Sequence, residues 1–152
     1  MNKTKKLVTA ALFASLIAVC TAFIKIPTGI NAGYVHFGDA LIYLASTMLP
    51  LPYAVTAAAI GGAFADIMAG ATLWAPATAV IKALNVLPFI LNKKIAPVLS
   101  GVITVAGYFL AEAMLFSAES ALASLPFSLV QAVGSAIIYY LLSAIFERRI
   151  RI

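Results

Sequence analysis

Six apolar runs, each cut off by proline, glycine or a knot of charge, take up almost the whole chain, and they leave the bilayer as the only solvent in which it can fold. They lie at Lys6–Ile24, Phe37–Leu49, Pro52–Gly70, Pro76–Leu91, Pro97–Ser117 and Pro126–Phe146. Proline is tolerated in the first turn of a helix and disfavoured inside it, so Pro52, Pro76, Pro97 and Pro126 mark helix starts, while Pro88 predicts a kink or early end in the fourth helix. Of 152 residues, 64% are hydrophobic and 10% charged, too few charges to cover a water-soluble domain. The net charge of +5 does not point to nucleic acid, because the basic residues gather at the chain ends and in one loop. The lone Cys20 excludes an intramolecular disulfide, and no metal cluster is suggested. The N-terminal apolar stretch runs too long for a cleaved signal and lacks an A-x-A site, so it reads as a retained helix.

The second run, at about 13–15 residues, is short for a crossing and could be re-entrant. Charge arbitrates. With six spans both termini share a side, and that side collects Lys3, Lys5, Lys6, Lys93, Lys94, Arg148, Arg149 and Arg151. The opposite side receives only Lys25 and the acidic loop around Glu119. That is the split of the positive-inside rule, so residues 1–152 read as a single all-α domain: a compact bundle of six transmembrane helices with both termini cytoplasmic. No internal repeat of the inverted-repeat transporters is visible.

Three groups that ionise in water, Asp66, Lys82 and Glu112, fall inside these runs, and a charge within a membrane span marks a functional site unless a partner neutralises it. Counted from the helix ends, Asp66, Lys82, Glu112 and Gln131 all fall about 6–9 Å below the outer surface. Asn85 and Tyr108 follow one turn deeper than Lys82 and Glu112. The inner halves of the same helices carry little polarity, which excludes a channel lined throughout and describes a pocket open outward and closed below. Above it runs the loop 29–39, where Asn31, Tyr34, His36, Phe37 and Asp39 offer hydrogen bonds and stacking, with Trp74 in the neighbouring loop. The loop lacks the G-K-[ST] ending of a P-loop. Plainer roles exist for each. Asp66 and Lys82 can form a structural ion pair, Asp39 reads first as a helix cap, His36 can be an ordinary loop residue, and Trp74 can be an interfacial anchor.

Small residues at every fourth position, Ala10, Ala14, Ala18 and Ala22 on helix 1 and Ala54, Ala58 and Gly62 on helix 3, allow close helix approach in lipid. On helix 3 this reads as internal packing. On helix 1 it also suits contact with another protein.

Together these residues resemble the substrate-binding (S) components of energy-coupling factor (ECF) transporters, nearest the riboflavin-type and related vitamin members. Ala10-xxx-Ala14-xxx-Ala18 is similar to the family's helix 1 docking motif, Tyr34 to Ala40 to its loop-to-helix-2 entry, and Asp66, Gly70, Ala75-Pro76, Thr78 and Lys82 to its helix 3–4 pattern. Residues 71–74 depart from many relatives, and the chain is at the short end. The resemblance implies a receptor subunit of the prokaryotic cytoplasmic membrane, not an enzyme. It would capture a small water-soluble vitamin or micronutrient outside the cell. The implied partners are a transmembrane coupling subunit, meeting Ala10, Ala14 and Ala18, and two ATPases that use the ATP; this chain carries no cofactor. The ligand site would draw on Asn31, Tyr34, His36, Asp39, Asp66, Trp74, Lys82, Asn85, Tyr108, Glu112 and Gln131. Asp66, Lys82 and Glu112 carry one net negative charge when all are ionised, which suits a neutral or weakly basic heterocycle, whereas an unpaired Lys82 would suit a carboxylate or phosphate. The alternative is a small self-sufficient proton- or ion-coupled transporter using Asp66 or Glu112. An integral-membrane enzyme ranks third, since no H-E-x-x-H or serine nucleophile elbow is present.

Overall fold

Asn2 starts the first helix: its side-chain oxygen accepts the Lys5 amide at 2.9 Å, satisfying one of the donors that a helix start leaves over. From there α1 runs Lys3–Phe23. The computed structural model describes residues 2–150, with side chains to residue 145. Arg151, and the side chains of Arg148 and Arg149 that entered the charge argument, lie outside the described residues. A short antiparallel hairpin, β1 (Lys25–Pro27) and β2 (Tyr34–His36), follows α1, with Ile26 opposite Val35. The remaining helices are α2 (Asp39–Met48), α3 (Leu51–Met68), α4 (Ala75–Leu84), α5 (Ala96–Leu115) and α6 (Ala118–Ile150). The bundle is therefore all-helical apart from six residues of hairpin in the loop expected to be irregular.

Among the described residues, five helical segments are long and apolar enough to cross a membrane: Lys3–Phe23, Leu51–Met68, Thr72–Ile90, Ala96–Leu115 and Ala118–Ile145. The ten-residue α2 is not among them. At 1.5 Å per residue it covers only about 15 Å. It is nevertheless the most enclosed helix, with Asp39, Ala40, Ile42, Tyr43 and Ala45 at 0–1% exposure. Tyr43 packs against the rings of Phe89 and Tyr139, at 5.5 and 6.0 Å.

Proline placed three starts well: Pro52, Pro76 and Pro97 are each the second residue of their helix. Pro88 has no N–H to offer the Leu84 carbonyl, and α4 stops at Leu84 before a 3-10 turn over Leu87–Ile90. Pro126 does not start a helix. It lies inside α6, which begins eight residues earlier than expected because the Ser117 hydroxyl accepts the Ser120 amide and caps a new helix there. One missing amide is a small loss inside a long membrane helix packed on its neighbours.

The alanine strip of α1 faces inward. Ala10, Ala18 and Ala22 are buried and Ala14 half-buried, and α1 lies along α3. Gly61 makes the contact possible: a Cβ there would stand 2.8 Å from the Ala14 carbonyl oxygen. Its neighbour Gly62 does the same on the other side of α3, where a Cβ would stand 2.8 Å from Cγ of Lys82 on α4. Both close approaches follow from small-residue packing, which governs helix association where the solvent is as apolar as the side chains. Large apolar side chains such as Leu12, Phe64, Val102 and Ile137 point outward.

Candidate functional site

Polar residues at helical spacing line the inside of this bundle. They are Thr78, Lys82 and Asn85 on α4; Ser100, Thr104, Tyr108 and Glu112 on α5; and Ser120, Ser124, Ser128, Gln131 and Ser135 on α6. Three or four residues bring a helix back to the same face, so each set is a stripe. None of them is on the outside, where they would meet lipid.

The stripes, the hairpin and the end of α3 surround a cavity of about 70 Å³, or about 560 Å³ when the open solvent at its mouth is counted. Of the eleven expected site residues, Tyr34, His36, Asp66 and Trp74 line it from the loops and α3, and Tyr108, Glu112 and Gln131 from α5 and α6. Asn31, Asp39 and Lys82 stand one contact behind the wall. Asn85 is elsewhere: its side chain meets Thr104 at 2.8 Å and its carbonyl accepts the Ser100 hydroxyl at 2.7 Å, which ties α4 to α5 below the cavity.

Lys82 is paired, but not with Asp66. Its ammonium lies 2.7 Å from Asp39 Oδ1 and 2.9 Å from Oδ2, with both side chains at most 1% exposed. Gln131 donates to the same carboxylate at 3.1 Å. Asp39 therefore does not cap α2: Gly38 holds that position, and no side chain makes the capping bond. The carboxylate is drawn to the cation because a buried charge without a counter-ion costs far more than a lost cap. Asp66 instead accepts the Tyr34 hydroxyl at 2.5 Å through Oδ1, while its Oδ2, also buried, accepts no hydrogen bond among the described residues.

Glu112 holds the lid. Its Oε1 accepts from Asn31 Nδ2 at 2.7 Å, Ser120 Oγ at 3.0 Å and Ser124 Oγ at 2.9 Å. Asn31 also meets the Ser120 hydroxyl, and its carbonyl accepts the Trp74 indole at 3.0 Å. Trp74 is thus 7% exposed and built into the site, rather than anchoring the protein in a membrane interface. Asn31 and Ala32 both take positive φ, 48° and 56°, a conformation that costs an alanine about 1–2 kcal/mol and is held here by these bonds. Ser120, Ser124, Thr28, Phe127 and Ser128 were not foreseen. Their signal was the four-residue spacing of Ser120, Ser124 and Ser128, hidden by placing the helix start at Pro126.

His36 is 4% exposed, and its Nδ1 accepts the Gly38 amide at 3.1 Å.

The comparisons with known proteins agree on what encloses this cavity. The family model described as ECF-type riboflavin transporter, S component, matches residues 1–148. A Pyrococcus woesei protein described as an uncharacterized protein in a gap 3' region is 31% identical over 143 residues, covering 88% of this chain and 96% of that one. A solved structure described as "Structure and mechanism of the S component of a bacterial ECF transporter" superposes with a TM-score of 0.74 at 17% identity, over 99% of this chain and 100% of that one, a likeness of fold.

Proposed function

Because the chain belongs to the family of ECF-type riboflavin transporter S components, and so is a membrane substrate-binding subunit for vitamin uptake, we propose that it captures a small water-soluble vitamin or micronutrient outside a prokaryotic cell and delivers it through a shared ECF module. The observation that carries this reading is the cavity, walled by aromatic rings and carboxylates and roofed by a loop that Glu112 pins. A few convergent polar groups among aromatic rings are the lining expected of a small-molecule site. Its proposed contacts are Tyr34, His36, Asp66, Trp74, Tyr108, Glu112 and Gln131, with Asn31, Asp39 and Lys82 supporting them from behind.

Six crossings with both termini cytoplasmic remain our reading of the topology. Residues 34–36 approach α2 as extended chain and add about 10 Å to its 15 Å, against a bilayer core of about 30 Å. Irregular backbone at that depth requires partners inside the protein. It has them: β1 pairs with β2, the His36 amide reaches Gln131 Oε1 at 3.4 Å, and the Phe37 carbonyl accepts the Ala40 amide at 3.2 Å.

Partnering with an ECF transmembrane subunit, driven by two ATPases, would use α1. Ala14 is the member of its alanine strip that keeps some exposure. Uptake of labelled ligand into cells should require the ATPases, and Ala14→Leu should lower uptake while the purified protein still binds. Uptake by this chain alone, insensitive to ATPase loss, would instead establish a gradient-driven carrier.

A further inference from the structure

We infer that Asn31 is the single latch of the cap over the cavity, and that Glu112 is a positioning residue which, through Asn31, sets how fast the ligand enters and leaves. This rests on the receptor reading and adds the step that limits exchange. Residues 28–33 close on themselves. The Thr28 amide and the Thr28 hydroxyl both donate to the Gly33 carbonyl at 3.0 Å. The Gly33 amide donates to the Ile30 carbonyl at 2.7 Å, and the Ile30 amide to the Thr28 hydroxyl at 3.3 Å. Backbone groups satisfied inside a turn need no outside partner, so these residues can move as one unit without leaving them unpaired.

Among the described residues, every hydrogen bond from this unit to the rest of the protein ends on Asn31. Its Nδ2 donates to Glu112 Oε1 on α5 at 2.7 Å and to the Ser120 hydroxyl on α6, and its carbonyl accepts the Trp74 indole at 3.0 Å. The base of the hairpin is tied down separately. There the Tyr34 hydroxyl reaches Asp66 on α3 at 2.5 Å, Lys25 donates to the Ala69 carbonyl just past α3 at 3.2 Å, and β1 pairs with β2. The cap therefore lifts from its tip, with its base seated on α3. Opening breaks the bonds on one residue and frees Asn31 and Ala32 from their positive φ. The bond to Glu112 counts most, since a carboxylate is a stronger acceptor than a neutral oxygen. Ser124, at 2.9 Å from the same Oε1, fixes where that carboxylate stands. All these bonds join protein groups, so they hold the cap over a filled cavity and an empty one alike. Their loss must then speed entry as well as exit.

Trp74 is the only tryptophan and is 7% exposed, so its fluorescence reports on the latch with or without a ligand. Acrylamide quenching is measured on the full chain in mild detergent for the wild type, Asn31→Gly, Glu112→Gln and Lys25→Met. Glycine suits the positive φ of residue 31 and removes only the side chain. We expect the quenching constant to rise about threefold or more in Asn31→Gly, to rise less in Glu112→Gln, and to stay at the wild-type value in Lys25→Met. Riboflavin serves as the exchange probe. Its association and dissociation rates, followed by stopped flow, should both rise about tenfold or more in Asn31→Gly. Thermal midpoints are measured alongside, so that quenching is read on folded protein. Unchanged quenching in Asn31→Gly, or an equal rise in Lys25→Met, would overturn the inference. Faster dissociation at an unchanged association rate would overturn it too, because that is the mark of a ligand contact. A wild type that binds no riboflavin would count against the receptor reading for this probe, and the quenching series would still decide the latch.

Discussion

Replacing Lys82 by Met should destabilise the protein by about 3–5 kcal/mol, because it strands the Asp39 carboxylate, which pairs with no other cation among the described residues. Asp39 is 0% exposed and Lys82 1%, so water cannot take the place of the lost partner. The Gln131 amide at 3.1 Å would remain, a neutral donor in place of a charge. The pair joins the head of α2 to α4, and Gln131 ties both to α6, so the loss would be felt in three helices. The double replacement Asp39→Asn with Lys82→Met removes both charges and should recover much of the loss, since the penalty comes from the unpaired ion rather than from missing attraction. Thermal unfolding in detergent, compared across the two singles and the double, checks this. Equal midpoints for Lys82→Met and the wild type would mean that the pair is not formed in the folded protein. With the midpoint lowered as expected, ligand binding lost with Lys82 is an effect of the support behind the cavity wall, not of a contact with the ligand.

Gly61→Leu should force α1 away from α3 at a cost of about 3 kcal/mol or more. Even a methyl at this position would meet the Ala14 carbonyl oxygen at 2.8 Å and Ile17 Cβ at 2.9 Å, neither of which can swing aside as the tip of a long side chain can. Between helices in lipid there is no hydrophobic gain to offset the clash, because the lipid tails are as apolar as the surfaces that separate. A leucine at Ala11, on the exposed face of α1, serves as the control and should leave the midpoint unchanged. Equal stability of Gly61→Leu and Ala11→Leu would show that α1 is not seated on α3 through this glycine.

Much of the site was legible because charge and amide groups are rare in a chain of this composition. Asp66, Tyr108, Glu112 and Gln131 stood out from their runs, and the structure brings all four to one cavity. Asn85 stood out equally and lies below it, since one turn along a helix was enough to move it from the cavity to the α4–α5 contact. The serines of α6 did not stand out, being common and weakly polar. They also sat in a stretch whose proline argued for a loop, and a single Ser117 cap was enough to make it helical.

The sequence by itself determined the solvent, the existence of five long apolar spans, the stops at Pro50–Pro52 and Pro88, and the inward polarity, because each depends on composition or period along one helix. Only the tertiary structure decided who pairs with whom. Lys82 had Asp66, 16 residues away, as its expected partner, and pairs instead with Asp39, 43 residues away. Helical period gives the face on which a charge stands, but not which neighbour that face turns toward. That is set by how closely the small residues let the helices approach, and here Gly61 and Gly62 seat α3 between α1 and α4. The same packing turned the alanine strip of α1 inward and, by keeping Lys82 for Asp39, left the cavity to Asp66 and Glu112.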